Sequence, residues 1–348
     1  MIGVGWLRSR AQTAAAAFVI AVVVVIAAAT GPDLVQLYRA AVAGCASRGN
    51  CKAVMTTFAT QDSSLRLWLG VLVVIAPAII GMFWGAPLVA SELEDGTFRL
   101  AWTQSVTRTR WLAVRLGVAG LASMAAAGLL SLVVTWWAGP LDQAGLSRFA
   151  TFDQRDIVPI GYAAFAFVLG VAVGATVRRT LPAMGVTLVA FVAARMAVTY
   201  WVRPRVLSPL VLIRPVNVAG YGSGGFLPIP VAGPSLQLQP PNLPNAWITS
   251  TGIVDQSGRG LPPAELARLC PGLGQRRPGH GFGHTQAPAS AVRSLQECGA
   301  RLGALYHEAV SYQPASRYWP LQWCELAILL ATALILGGLA IWRVRRIS

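Results

Sequence analysis

The chain has 348 residues, of which 55% are hydrophobic and 12% charged, and it carries a net charge of +15. That composition is too apolar for an ordinary soluble domain. No basic run interleaves with aromatics on a polar stretch, so the surplus is not a nucleic-acid surface.

Six apolar stretches are read as membrane spans: Ala14–Ala29, Leu67–Ala90, Ala113–Ala138, Pro159–Val177, Leu181–Val202 and Leu321–Trp342. Each is near or above the length that crosses a hydrocarbon core of roughly 30 Å at about 1.5 Å per helical residue. Ahead of the first span, Ile2, Val4, Trp6 and Leu7 alternate with Arg8 and Arg10, a pattern for a short helix in the interface. Gly31, Pro32 and Asp33 close that span without a small-x-small cleavage site, so it is read as uncleaved. The next loop holds Cys45 and Cys51.

The segment after span two, residues 91–112, is the chemically dense one. Glu92, Glu94 and Asp95 precede Gly96 and Thr97. Thr97 is placed to cap a short helix ending at Trp102, with the acids at its positive end. Thr107 is placed to cap the helix of span three. Arg178–Thr180 is a tight turn, with Pro182 opening span five, so spans four and five form a helical hairpin. The stretch Arg203–Pro320 is long enough for a small subdomain. Its first half is rich in Pro and Gly and reads as irregular. Ala246–Val254 reads as a strand, and Pro262–Cys270 and Ser290–Tyr312 read as helices.

Arginine orients the chain. With the N-terminus inside, eleven basic residues fall in inner segments and six in the two short outer loops. The long outer segment does not count in that comparison. Both termini are therefore expected in the cytoplasm. Trp68, Trp136, Trp137, Tyr200, Trp201, Trp319 and Trp323 then mark outer span ends. Every cysteine outside a span is also on the oxidising side, and two local disulfides, Cys45–Cys51 and Cys270–Cys298, are expected. Cys324 sits in the last span as a packing residue.

Two intramembrane charges, Arg195 in span five and Glu325 in span six, are expected to pair, because a lone charge there costs roughly 2.5–3.5 kcal/mol. His280 and His284 flank Gly281 and Gly283, which favours a surface loop over a metal site, so no metal ligand is assigned. The single lysine, Lys52, lies outside, so this chain supplies no P-loop lysine. No catalytic constellation and no cofactor site emerge.

Two long motifs carry a resemblance. Glu92-x-Glu94-x-Gly96-Thr97 with Leu100-Ala-Trp-Thr-Gln-Ser-Val-Thr-Arg-x-Arg-Trp111 resembles the first cytoplasmic loop of type-2 ABC exporter permeases of actinobacteria. Tyr312-Gln-Pro-Ala-Ser-Arg-Tyr-Trp-Pro-Leu-Gln-Trp-Cys-Glu325 resembles their final span, with Cys324 a minor departure. Arg203-Pro204, Trp247-Ile-Thr-Ser and Asp255-x-Ser-Gly258 fit more loosely. The resemblance implies a permease that pairs with a second permease copy, recruits two separate ATPase subunits and exports a substrate. It places ATPase coupling on Glu92, Glu94, Asp95, Gly96, Thr97, Arg99, Trp102, Gln104, Arg108 and Arg110.

The expected fold is all-α: six transmembrane helices, cytoplasmic termini, and a small extracytoplasmic subdomain between helices five and six. Residues 1–202 hold five spans with the coupling loop, 203–320 the subdomain, and 321–348 the last span and tail. A multi-pass plasma-membrane exporter subunit is the leading function. A membrane-embedded transferase and a non-transporting receptor or immunity subunit are the alternatives.

Overall fold

The computed structural model describes residues 2–48, 63–94, 108–145, 147–216, 241, 243–271 and 289–346, with the short pieces 54–55, 58, 227–228 and 237–238. The chain divides into two compact units, Met1–Leu207 with Ser316–Ser348, and Ser208–Ala315. Arg203–Leu207 and Ser316–Pro320, assigned to the subdomain from sequence, thus fall in the helical unit.

The helical unit is that of an all-α polytopic membrane protein. Among the described residues, six helical stretches are long and apolar enough to cross a membrane: Ala17–Cys45, Ser64–Ser91, Ala113–Trp137, Arg148–Val177, Thr180–Val206 and Ala315–Arg345. Their helices are α1 (Ile2–Arg48), α2 (Ser63–Ile80), α3 (Ala86–Glu94), α4 (Arg108–Trp137), the short α5 (Gly139–Gln143), α6 (Val158–Val177), α7 (Thr180–Ala197), the short α8 (Arg203–Val206) and, last in the chain, α11 (Tyr318–Arg345). α2 and α3 form one span, joined by a π-turn at Gly81–Gly85.

One expected boundary does not occur. The first span does not stop at Gly31-Pro32; α1 is a single helix of 47 residues with Pro32 inside it. Proline removes one donor, but a neighbour can anchor the turn around it. Here the Thr30 hydroxyl donates to the Ile26 carbonyl at 2.8 Å and accepts from the Trp137 indole N–H at 3.0 Å. Beyond Pro32, Leu34, Leu37, Tyr38 and Ala41 pack against α2 and α4 with Phe58, Val73, Val134 and Trp137. That packing favours continuing the helix.

α6 is the centre of the unit. The share of its span that is buried is 67%, against 17–39% for the other five. It packs against α2, α3, α4, α7 and α11. Small residues make this possible. A Cβ added at Gly81 would sit 2.7 Å from the Ala166 carbonyl oxygen, and one at Gly170 would sit 2.7 Å from the Ala86 nitrogen. The backbones of the π-turn and α6 therefore touch directly, as close helix packing in lipid requires. Arg178, with φ of 58°, ends α6 and lets α7 fold straight back.

The second unit contains a sheet that the sequence reading only partly anticipated. Its strands β1 (Leu210–Pro215), β2 (Trp247–Asp255) and β3 (Tyr306–Gln313) are antiparallel, with β3 in the middle. The expected strand Ala246–Val254 corresponds to β2. The expected helix Ser290–Tyr312 is corrected: α10 (Ala289–Leu305) ends where β3 begins. Buried Tyr306, Glu308 and Val310 alternate with half-buried His307, Ala309 and Ser311, and that two-residue period outweighs helix continuation. α9 (Pro263–Leu269) and α10 supply Leu266, Cys270, Cys298 and Leu302 to a core with Ile253 and Tyr306.

A Cys270–Cys298 disulfide closes 28 residues of sequence. On the chain-entropy model that stabilises by roughly 3–4 kcal/mol. Cys45 is also disulfide-bonded, while Cys51 lies outside the described residues. Cys324 is free. Across β1 and β3, the Arg214 guanidinium donates to both oxygens of the fully buried Glu308 carboxylate at 3.0 and 2.9 Å.

Candidate functional site

At the end of the bundle where α6 begins and α7 finishes, the chain crosses between helices through a 3-10 segment, Arg148–Gln154. This segment and its continuation bring Asp153, Arg155 and Asp156 against the ends of α7, α8 and α11. Two charge clusters result, and each sums to zero formal charge.

In the first cluster, Arg203 is the hub. Its Nε and Nη2 donate to the two Glu325 oxygens at 2.7 and 2.8 Å. The same guanidinium also donates to both Asp153 oxygens, and it lies over the Phe152 ring at 4.4 Å. The Tyr162 hydroxyl donates to Glu325 Oε1 at 2.8 Å. Arg195 sits over the Tyr162 ring at 4.4 Å, with Nη2 3.7 Å from Asp153 Oδ1.

The expected Arg195–Glu325 pair is therefore corrected. Glu325 is bound by Arg203, and Arg195 reaches Asp153 instead. Depth explains the exchange. Glu325 lies about two turns into α11, level with the end of span five, and Arg203 is eight residues, about 12 Å of helix, closer to that end than Arg195.

In the second cluster, Arg155 donates to both Asp142 oxygens at 2.7 Å, and Arg148 adds a bond at 3.1 Å. Asp156 has φ of 62°. That left-handed turn lets its carbonyl accept from Ser131 at 2.7 Å while its N–H donates to Thr135 at 3.1 Å. Its carboxylate accepts from the Tyr318 hydroxyl. The fully buried Gln322 joins the clusters: its amide donates to the Phe152 carbonyl and the Tyr318 hydroxyl, both at 3.1 Å, and its oxygen accepts the Val158 N–H at 3.0 Å. That last bond satisfies one of the donors left open at the start of α6.

Such a network can fasten three helix ends or release them together. Breaking one buried partner leaves a charge uncompensated. Of its members, the sequence reading named only Arg195 and Glu325 as a pair. In sequence, Asp153 and Arg155 lie between the expected spans Ala113–Ala138 and Pro159–Val177, and Arg203 lies just beyond span five. Their partners lie far away in sequence, and no local pattern connects them.

Of the residues expected to couple to an ATPase, those described lie at the opposite end of the bundle. Glu94 ends α3 and accepts the Thr180 backbone N–H at 2.8 Å, which ties α3 to the start of α7. That hydrogen bond, with the Thr180 hydroxyl and Arg179 adding to it, holds the Glu94 carboxyl below its usual range. Glu92 lies in α3, and Arg108 and Arg110 open α4. Asp95, Gly96, Thr97, Arg99, Trp102 and Gln104 lie outside the described residues, as does the expected Phe98–Trp102 helix. His280 and His284 do too.

The family described as "ABC-2 membrane transporter related" matches residues 16–203, more than half of the chain. No curated protein and no solved structure matches.

Proposed function

The chain belongs to the ABC-2 membrane transporter related family, and on that premise we propose that it is the transmembrane permease subunit of an ATP-driven exporter. It is a multi-pass membrane protein of permease type. In this reading it sits in the plasma membrane with both termini in the cytoplasm, and residues 208–315 face outward. The arginine bias at span ends and the oxidised Cys270–Cys298 pair support that orientation. Two copies of a separate ATPase supply the energy, since the only lysine of this chain, Lys52, is not in a P-loop. A second permease copy completes the assembly.

Coupling runs through residues 91–112. The observation that carries this is the family match across spans one to five, which includes that segment. The tie between Glu94 and Thr180 adds a mechanical route, because movement of the segment would pull on α3 and α7 together. ATP-driven closure of the partners would push this end of the bundle, and the charge clusters would hold or release the other.

Co-expression with a candidate P-loop ATPase subunit tests the reading. The two proteins should co-purify and hydrolyse ATP. Glu94→Arg with Asp95→Arg should insert and fold normally but lose both the ATPase and export. A doubly reversed protein that binds its ATPase and exports at the wild-type rate would remove the coupling role from this segment.

A further inference from the structure

Arg195 is the only charged residue of α7. Arg203 already donates to both oxygens of Asp153 and of Glu325. Arg195 is left with a 3.7 Å approach to Asp153, beyond hydrogen-bond reach, and with the face of Tyr162. Among the described residues it forms no hydrogen bond, although a guanidinium carries five N–H donors. Its side chain is 14% exposed, so it is largely covered by the bundle but reachable at its edge.

The surroundings of that edge are apolar. Arg195 lies at the edge of the packed face of α7: Phe191, four residues before it, is buried against Tyr162, while Leu188 and Val192, seven and three residues before it, lie on the outer side. Both are exposed, as are Val189 and Met196 beside them. Five and six residues beyond Arg195, Tyr200 and Trp201 are 63% and 67% exposed. Exposed aromatics of this kind sit at headgroup level, which puts Arg195 about 8 Å below that level by helix rise. An arginine with unbonded donors at that depth calls for an acceptor, and a planar fork is matched by two oxygens on one group.

We propose that Arg195 binds the headgroup of an amphiphile carrying a phosphate or carboxylate, whose acyl chain lies along Val192, Val189 and Leu188. A free inorganic ion would leave that strip unused, and a zwitterionic headgroup would bring its own cation to Arg195. The site is read by binding alone and stands whether or not the chain exports.

The test is native mass spectrometry of the full chain in detergent, with phosphatidylglycerol or phosphatidylcholine of identical acyl chains, and separately with dodecanoate. Phosphatidylglycerol should be retained about tenfold more than phosphatidylcholine, the size of one charge-assisted bidentate contact. Arg195→Gln should abolish that preference. Arg205→Gln removes an exposed charge near the same helix end and should leave it intact. Val192→Glu supplies an internal carboxylate three residues from Arg195 and should displace the lipid while Arg195 is kept, a variant that serves if Arg195→Gln does not fold. Arg195-dependent binding of phosphatidylglycerol identifies a membrane lipid as the source. Arg195-dependent binding of dodecanoate alone identifies a free acidic amphiphile. Equal retention of both acidic probes by wild type and by the Arg195→Gln or Val192→Glu chain overturns the site.

Discussion

Where α6 begins and α7 finishes, four carboxylates and four arginines lock together, and the hub Arg203 and its partner Glu325 are buried. Where α6 ends and α7 begins, the described contact is that of one exposed carboxylate, Glu94, with one backbone N–H, that of Thr180. The first arrangement concentrates stabilisation, because removing a buried member such as Arg203 or Glu325 strands a charge in a medium that solvates it poorly. The second concentrates access, because a soluble partner can reach it without unpacking the bundle. Substitutions should therefore separate the two ends: stability at one, coupling at the other.

The largest effect should come from Arg203. Arg203→Leu leaves Asp153 and Glu325 without their hub and should destabilise by about 3–5 kcal/mol, read as a fall in thermal midpoint of the detergent-solubilised protein. Arg203→Leu with Glu325→Leu leaves Asp153 beside Arg195, a neutral pair at 3.7 Å. The double variant should recover a large part of the loss. Additive losses from Arg203→Leu and Glu325→Leu would mean that the cluster does not act as a unit.

A smaller loss should follow from Tyr318→Phe, which removes a hydroxyl donor from the Asp156 carboxylate in the second cluster. A bond to a charged acceptor contributes about 1.5–3 kcal/mol. An unchanged thermal midpoint would show that Asp156 is held by its backbone contacts and by Arg155, whose Nε lies 3.6 Å from its carboxylate, alone.

Packing on α6 should give an effect of similar or lesser size. Gly170→Ala forces a Cβ into the backbone of the Gly81–Ala86 turn and should destabilise by about 1–3 kcal/mol. Gly338→Ala on α11 meets nothing within 4 Å and should instead be neutral or stabilising by about 0.5–1 kcal/mol. Equal responses at the two glycines would argue that α6 does not carry the close contact.

These contrasts also mark what the sequence could and could not reveal. The spans are legible because some twenty consecutive apolar residues have no other economical reading. Residues 306–313 are harder, since neither glycine nor proline stands at the junction between Leu305 and Tyr306, and only the alternation of buried Tyr306, Glu308 and Val310 gives the strand away. The charge clusters are harder still. Arg203 and Glu325 are 122 residues apart, and Asp153 reads as a loop acid until the fold brings it beneath Arg203. The expected Arg195–Glu325 pair respects the cost of a buried charge, but Arg195 lies two helical turns deeper than the residue that meets Glu325, Arg203. The Glu94 contact depends on the turn after α6, which brings Thr180 back to the end of α3, a proximity that only tertiary packing supplies.

The smallest expected effect belongs to Glu94, and pH isolates it. Its carboxyl is held below the usual value of 4.5 by the Thr180 hydrogen bond. A group whose folded pKa is depressed contributes stabilisation that is fully present above its ordinary pKa and is lost as pH falls through the lower folded value. The tie between α3 and α7 should therefore be intact from pH 7 down to the ordinary carboxylate range and loosen only below it. Hydrogen exchange at the Thr180 amide, normalised for intrinsic rate, reads this directly. Protection in the wild-type chain should be flat above that range and fall beneath it. In Glu94→Gln it should be lower throughout and insensitive to pH, because the amide does not titrate. The Val158 amide at the other end is the internal reference, since its acceptor is the uncharged side chain of Gln322. If Thr180 protection in the wild type tracks Val158 at every pH, Glu94 does not tie the two helices, and the exposed end lacks the mechanical link that coupling through this segment requires.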